Sequence, residues 1–312
     1  MAQKRKAVAL CGATASGKSS LAMFLSKHFD LEIICMDSMQ IYRGMDIGTA
    51  KPSREEQQQV KHHMLDILSP DQSYSVADYA RDCTAVLEDV ERRGKLPLLV
   101  GGTGLYLKAL MHGYQLGKIE ADEAFRNQMH QQAETEEGKQ ALYQLLRQRD
   151  PASAARLHPN DIRRVIRALE VAENAGEALT DCNQQPQEPD FDILPIAIDY
   201  PRELLYQRIE KRVQQMVKDG LRQEAAQIWH TVPKTAQSLQ AIGYKEWIPF
   251  FEGEISEKEA QRRIVVNTRH YAKRQLTFQR AEEKTLWLPF DDDLQNRVIQ
   301  SITAFRKESY EQ

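Results

Sequence analysis

The stretch AVALCGATASGKSS, Ala7 to Ser20, runs from an apolar segment through a glycine-rich turn into a helical pattern without a break. Gly12, four residues, then Gly17-Lys18-Ser19 satisfies G-x-x-x-x-G-K-[ST]. In a loop of this kind the backbone N–H groups of Gly12, Ala13, Thr14, Ala15, Ser16 and Gly17, with the helix N-terminus behind them, point at phosphate oxygens. Lys18 reaches the outer phosphate, and the Ser19 hydroxyl suits a magnesium ion. The loop needs a buried strand before it and a helix after it, which commits the chain to an α/β fold. It does not say whose phosphates it holds.

Other apolar runs extend the pattern. Leu31–Met36, Leu96–Val100 and Ile193–Ile198 are short, rich in branched residues and separated by helical periodicity, as expected of parallel strands covered on both faces. Residues 116–190 contain no strand-like run, are rich in Gln, Glu and Arg, and close with the linker DCNQQPQEPD. The expected architecture is therefore α/β: a doubly wound parallel sheet of P-loop NTPase type formed by residues 1–115 and 191–312, with an all-helical domain inserted at 116–190. The long helix PRELLYQRIEKRVQQMVKDG is expected to open with Pro201 at its first position and stop at Gly220.

Composition limits the partners. With 42 basic and 45 acidic side chains the net charge is -3, so any nucleic-acid site must be a local patch. No apolar stretch approaches the roughly 20 residues that cross a bilayer. The four cysteines are scattered without a C-x-x-C pair, which fits a reducing cytoplasm and argues against a zinc knuckle or a disulfide framework.

Ligands of open parallel sheets collect beyond the carboxyl ends of the strands. Asp37 stands there after the second strand and Thr103 after the third, where two preceding glycines let the backbone come close to a ligand. Spacing alone leaves Asp37 balanced between general base and magnesium ligand, and favours a helix cap for Thr103, since a helical pattern follows it.

GATASGKS, DSMQIYRGMDIGTAKP, LLVGGTGLYLKAL, LHPNDIRRVIRALEV, QAIGYKE and AKRQLTFQR occur in the order and at about the spacing found in bacterial tRNA dimethylallyltransferases, and the chain resembles that family from Val8 to Arg280. The resemblance implies that the phosphates are those of dimethylallyl diphosphate and that the acceptor is N6 of adenine 37, beside the anticodon, in tRNAs reading codons that begin with U. It implies Asp37 as the base, Lys18 and Arg212 as diphosphate contacts, and Thr103 as a hydrogen-bonding group at the adenine. Without it, Arg212 is one of several cations on a long helix. It further implies tRNA contacts at Asp37, Ser38, Met39 and Gln40, at Arg126, and at Gln240, Gly243 and Lys245. The chain departs from the usual pattern at Ala13 (commonly Pro), Ser19 (commonly Thr) and Phe278 (commonly Trp), and Gly104 occupies a variable site.

The RNA side has its own signal. Gln261–Arg280 holds six Arg or Lys and no Asp or Glu. Arg262, Arg269, Lys273 and Arg280, at intervals of seven, four and seven, fall on one helix face, with Arg274 beside them. Such a stripe, free of acidic neighbours in its own segment, suits a phosphate backbone, with Tyr271 and Phe278 packing on the opposite side. Arg163, Arg164 and Arg167 form a second cluster aimed at the anticodon stem.

The expected protein is thus a cytoplasmic, monomeric, magnesium-dependent transferase with no membrane contact. Its rivals are a P-loop kinase using ATP, a prenyltransferase of free adenine nucleotides, and an RNA-binding protein with an inactive site.

Overall fold

A computed structural model describes residues 5–113, 122–175 and 189–307. Most of the linker DCNQQPQEPD, with Cys182, lies outside the described residues. Six parallel strands form one sheet: β1 Arg5–Cys11, β2 Leu31–Cys35, β3 His62–His63, β4 Leu96–Val100, β5 Phe191–Asp199 and β6 Leu286–Pro289, in the order β3-β2-β4-β1-β5-β6. The sequence reading missed β3 and β6 because neither, at two and four residues, carries a recognisable apolar period. β1 lies centrally, paired with β4 on one side and, over seven residues, with β5 on the other.

Both faces of β1 are buried, and alternate residues feed different cores. Ala7, Ala9 and Cys11 join a cluster with α3 (Val76–Arg92), whose Tyr79, Cys83 and Leu87 recur at helical spacing. Val8 and Leu10 join another with Leu21, Ala22 and Leu25 of α1 (Lys18–Leu25). This two-sided burial explains why the strands read as unbroken apolar runs. α2 (Arg54–Gln59) and α3 each begin with a capping box, Ser53/Glu56 and Ser75/Asp78. Buried Glu32 at the heart of β2 is tolerated because the Arg93 guanidinium and His63 bond it; together they hold its carboxyl down at about 2, with Arg93 the larger influence.

By contacts the chain divides into two compact units, residues 1–111 with 190–312, and residues 112–189. The first continues with α4 (Gly104–His112), and the second holds α5 (Glu123–Gln132), α6 (Glu136–Arg149), α7 (Pro151–Arg156) and α8 (Ile162–Ala175) around a small core that includes Leu142, Leu146, Val165 and Leu169.

After β5 come α9 (Arg202–Lys218), α10 (Leu221–Thr231), a 3-10 turn at Gln237–Gln240, α11 (Ile248–Phe251), the long α12 (Glu257–Arg280) and, past β6, α13 (Leu294–Lys307). Pro201 takes the N-cap of α9 rather than its first helical position. Gly220, at φ +106°, ends α9 and opens α10 in the same left-handed turn, as its position after the last apolar residue foretells.

Candidate active site

Between β1 and α1 the loop winds through left-handed conformations at Gly12, Ala15 and Gly17. Lys18 Nζ folds back to donate to the carbonyls of Gly12 (3.0 Å) and Ala13 (2.6 Å). Burial, and secondarily the charge of Arg212, lower its pKa to about 8. Two arginines of α9 face the loop. Arg208 Nε donates to Ala15 O at 2.8 Å. Arg212, one turn on, has its pKa lowered by burial, an effect that the Asp37 carboxylate opposes and Arg208 reinforces. Arg208 escaped the sequence reading; the signal was there, since it precedes Arg212 by four residues and shares its face.

Asp37 lies past the end of β2. Its Oδ1 accepts the Met39 N–H at 2.9 Å, a local turn that aims the carboxylate away from the strand. Thr103 Oγ1 accepts the Ser38 N–H at 3.2 Å and is also bonded by Tyr271, while its carbonyl accepts the first N–H groups of α4; Thr103 itself lines neither cavity of the site. Tyr271 is held up at about 12, by burial first and by Asp37 second.

These groups surround two cavities. One, of about 320 Å³, is lined by the P-loop with Lys18, Ser19, Arg208 and Lys211. The other, of about 250 Å³, is lined by Ser38, Met39, Tyr271, Arg274, Lys245 and the Gln240–Gly243 turn. Thr14, Asp37, Thr49 and Arg212 line both. A carboxylate and a guanidinium therefore stand in the wall between a chamber lined by the phosphate loop and a second, cation-rimmed one.

Ser19 is exposed at the first cavity, and Asp37 faces the same space. A hydroxyl and a carboxylate are hard oxygen donors, which fit magnesium completed by phosphate and water. Among the described residues no group of three or more His, Cys, Asp or Glu could hold a metal without such help.

The loop of DIGTAKP is fixed from behind. Glu224 of α10 accepts the N–H groups of Asp46, Ile47 and Gly48, each at 2.9 Å, and the Tyr244 hydroxyl at 2.6 Å. Lys51 Nζ donates to Tyr42 O (2.8 Å) and pairs with Asp46 and Asp66. Gln40 is enlisted in the same loop: its amide donates to Thr49 O (3.0 Å) and Ala50 O (3.3 Å), and it borders the phosphate-side cavity rather than the second one.

The cationic stripe on α12 differs from its sequence reading, because acidic partners arrive from outside the segment. Arg262 pairs with Glu259, Arg269 with Glu210 on α9, and Arg280 approaches Asp199 at 3.6 Å. Lys273 and Arg274 are exposed. Phe278 does not bury itself: 41% exposed, it covers Gly104, where an added Cβ would meet its ring at 2.3 Å.

In the helical unit, Arg126 and Arg167 both bind the fully buried Glu170, which also accepts the Asp122 N–H at 2.8 Å. Arg164 pairs with Asp161 at 2.9 Å, and Arg163 is exposed. Arg126 and Arg167 thus hold their own unit together, a duty invisible without knowing that Glu170 points inward.

Fold and site define a P-loop-type α/β protein whose phosphate-binding loop shares a carboxylate-bearing wall with a second cavity. The model of the IPP transferase family matches residues 40–282, and the chain belongs to that family. It is 42% identical over 304 residues to a tRNA dimethylallyltransferase of Halalkalibacterium halodurans, covering 97% of this chain and 96% of the relative. Among solved structures, the full-length tRNA isopentenylpyrophosphate transferase of Bacillus halodurans is 41% identical with TM-score 0.71, covering 98% of this chain and 97% of that one. A eukaryotic dimethylallyltransferase acting on tRNA superposes with TM-score 0.81 at 28% identity, covering 97% and 80%.

Proposed function

We propose that this chain transfers the dimethylallyl group of dimethylallyl diphosphate to N6 of adenine 37 in tRNA. The observation that carries the reading is the shared wall: Asp37 and Arg212 face both the P-loop chamber and the second cavity. Diphosphate enters on the first side. A flipped adenine enters on the second, where unstacking costs a few kcal/mol.

The adenine amine is a weak nucleophile because its lone pair is delocalised into the ring. Asp37 accepts an N6 proton as the N6–C1 bond forms and the C1–oxygen bond of the diphosphate breaks. Lys18, Arg208, Arg212 and the loop amides receive the leaving charge, except the Thr14 N–H, which the sequence pattern aims at phosphate but which is taken by Gln275. Magnesium, held by Ser19, supplies further neutralisation of the diphosphate when bound. Thr103 acts on the incoming base through Ser38 and Tyr271, which it bonds and which line the base-side cavity.

Arg274, Lys245 and the Gln240–Gly243 turn rim the base-side cavity, and Lys273 and Arg163 offer exposed charge to RNA phosphates. We place the reaction in the cytoplasm, performed by a monomer.

The test combines purified protein, magnesium, an unmodified anticodon stem-loop and labelled dimethylallyl diphosphate, with an ATP reaction in parallel. Label in the RNA, lost when adenine 37 is replaced by guanine, is the expected result. ATP turnover without RNA, and no label transfer, would replace this reading with that of a kinase.

A further inference from the structure

On the inner face of α12, Gln275 is 6% exposed, and its amide is spent on two backbone groups from different strand ends. Its Oε1 accepts the N–H of Thr14 in the phosphate loop at 2.8 Å. Its Nε2 donates to Gly102 O, in the turn after β4, at 3.0 Å. Tyr271, one helical turn earlier, bonds both Gln275 and Thr103. Space has been cleared for this amide: a Cβ on Gly102 would lie 1.9 Å from Gln275 Nε2. The second glycine of GGTG is there for a side chain arriving from a helix more than 170 residues downstream.

We infer that Gln275 is a positioning residue that sets the phosphate loop for diphosphate by cross-linking Thr14 to Gly102. The inference rests on the proposed transferase reading for its ligand. Thr14 borders both cavities, so the orientation of its peptide decides how the loop amides present themselves and how the shared wall is shaped. Thr14 is half-buried at the cavity walls, so without Gln275 its N–H is left to water or to a turned peptide, and nothing then holds the loop in the cradle's geometry.

A neighbouring residue provides the control. Gln279, one turn further along the same face, is 2% exposed, yet neither amide atom finds a partner among the described residues. Replacing an unbonded buried amide with an apolar group of similar size is close to neutral.

The experiment measures pyrophosphate affinity by calorimetry in the presence of magnesium, together with dimethylallyl transfer, for the full chain and for Gln275→Leu, Gln275→Glu and Gln279→Leu. For Gln275→Leu the expected result is affinity weakened about 10- to 100-fold, with the KM for dimethylallyl diphosphate rising alike and stem-loop affinity unchanged. Gln275→Glu keeps the acceptor for Thr14 but adds negative charge beside the loop, and should weaken pyrophosphate further while still folding. Gln279→Leu should match the unaltered chain. Unchanged pyrophosphate affinity in both Gln275 variants, with normal transfer by the unaltered chain, would overturn the role of Gln275 alone. Equal losses in Gln275→Leu and Gln279→Leu would reduce it to general packing. An unaltered chain that binds pyrophosphate but transfers nothing would overturn the transferase reading while leaving Gln275 to be judged by affinity.

Discussion

Tyr244 occupies the space that any side chain on Gly48 would need: a Cβ there would lie 2.5 Å from its ring. The ring cannot retreat easily, because its hydroxyl is bonded to Glu224 and the residue is 1% exposed. The same Glu224 holds the Gly48 N–H, so one carboxylate clamps both sides of the contact.

Gly48→Ala is therefore expected to cost about 1–3 kcal/mol of stability through overpacking. Urea unfolding of the variant checks this. Since Thr49 lines both cavities, transfer should fall with it, whereas Gly44→Ala, strained by φ +73° but with nothing within 4 Å of its Cβ, should lose some stability and keep its activity.

Asp37→Asn removes the proton acceptor and keeps the shape. The expected outcome is a fall of about 10²–10⁴ in single-turnover transfer, with pyrophosphate affinity within about threefold of the starting protein. Collapse of that affinity would instead make Asp37 a magnesium partner.

Lys18, with its pKa lowered to about 8, predicts a pH dependence of binding. Below pH 8 the ammonium is present and attracts the diphosphate. As pH rises through 8 the free protein loses that charge, so affinity should decline across this range. Comparing Lys18→Arg by calorimetry isolates the effect, because the ligand's own titration is common to both proteins and the guanidinium stays charged.

Two cations expected to contact RNA, Lys273 from its helix face and Arg126 from the family resemblance, should separate by experiment. Lys273→Ala, at an exposed position, should weaken RNA binding and reduce the slope of log affinity against log salt by about 0.7. Arg126→Ala leaves Glu170 with fewer partners, and should lower the thermal stability of the helical unit by about 1–3 kcal/mol even without RNA.

The parallel sheet was legible because strands buried on both faces write themselves as apolar runs, and the phosphate loop because its chemistry needs fixed residues at fixed spacing. Asp37, which lines both cavities, could be singled out as a polar residue just past a strand end. Gln275 and Glu224 could not, since each acts on backbone groups far away in the chain and resembles an ordinary polar residue on a helix. The α12 stripe misled for a related reason: Glu210 and Asp199, which balance Arg269 and Arg280, sit on other elements.

The pairing of β1 with β5 has a consequence for the nascent chain. β4 is complete at Val100, but the strand that covers the other edge of β1 does not begin until Phe191, about 90 residues later. At roughly 5–20 residues per second, ribosomal synthesis leaves that edge bare for on the order of ten seconds. During this interval the helices α5 to α8, which have a core of their own at Leu142, Leu146, Val165 and Leu169, can fold, while the strand feeding the phosphate loop waits for its second neighbour. The chain thus exposes an unpaired strand edge before its phosphate cradle can exist, a period in which a chaperone that shields strand edges would matter.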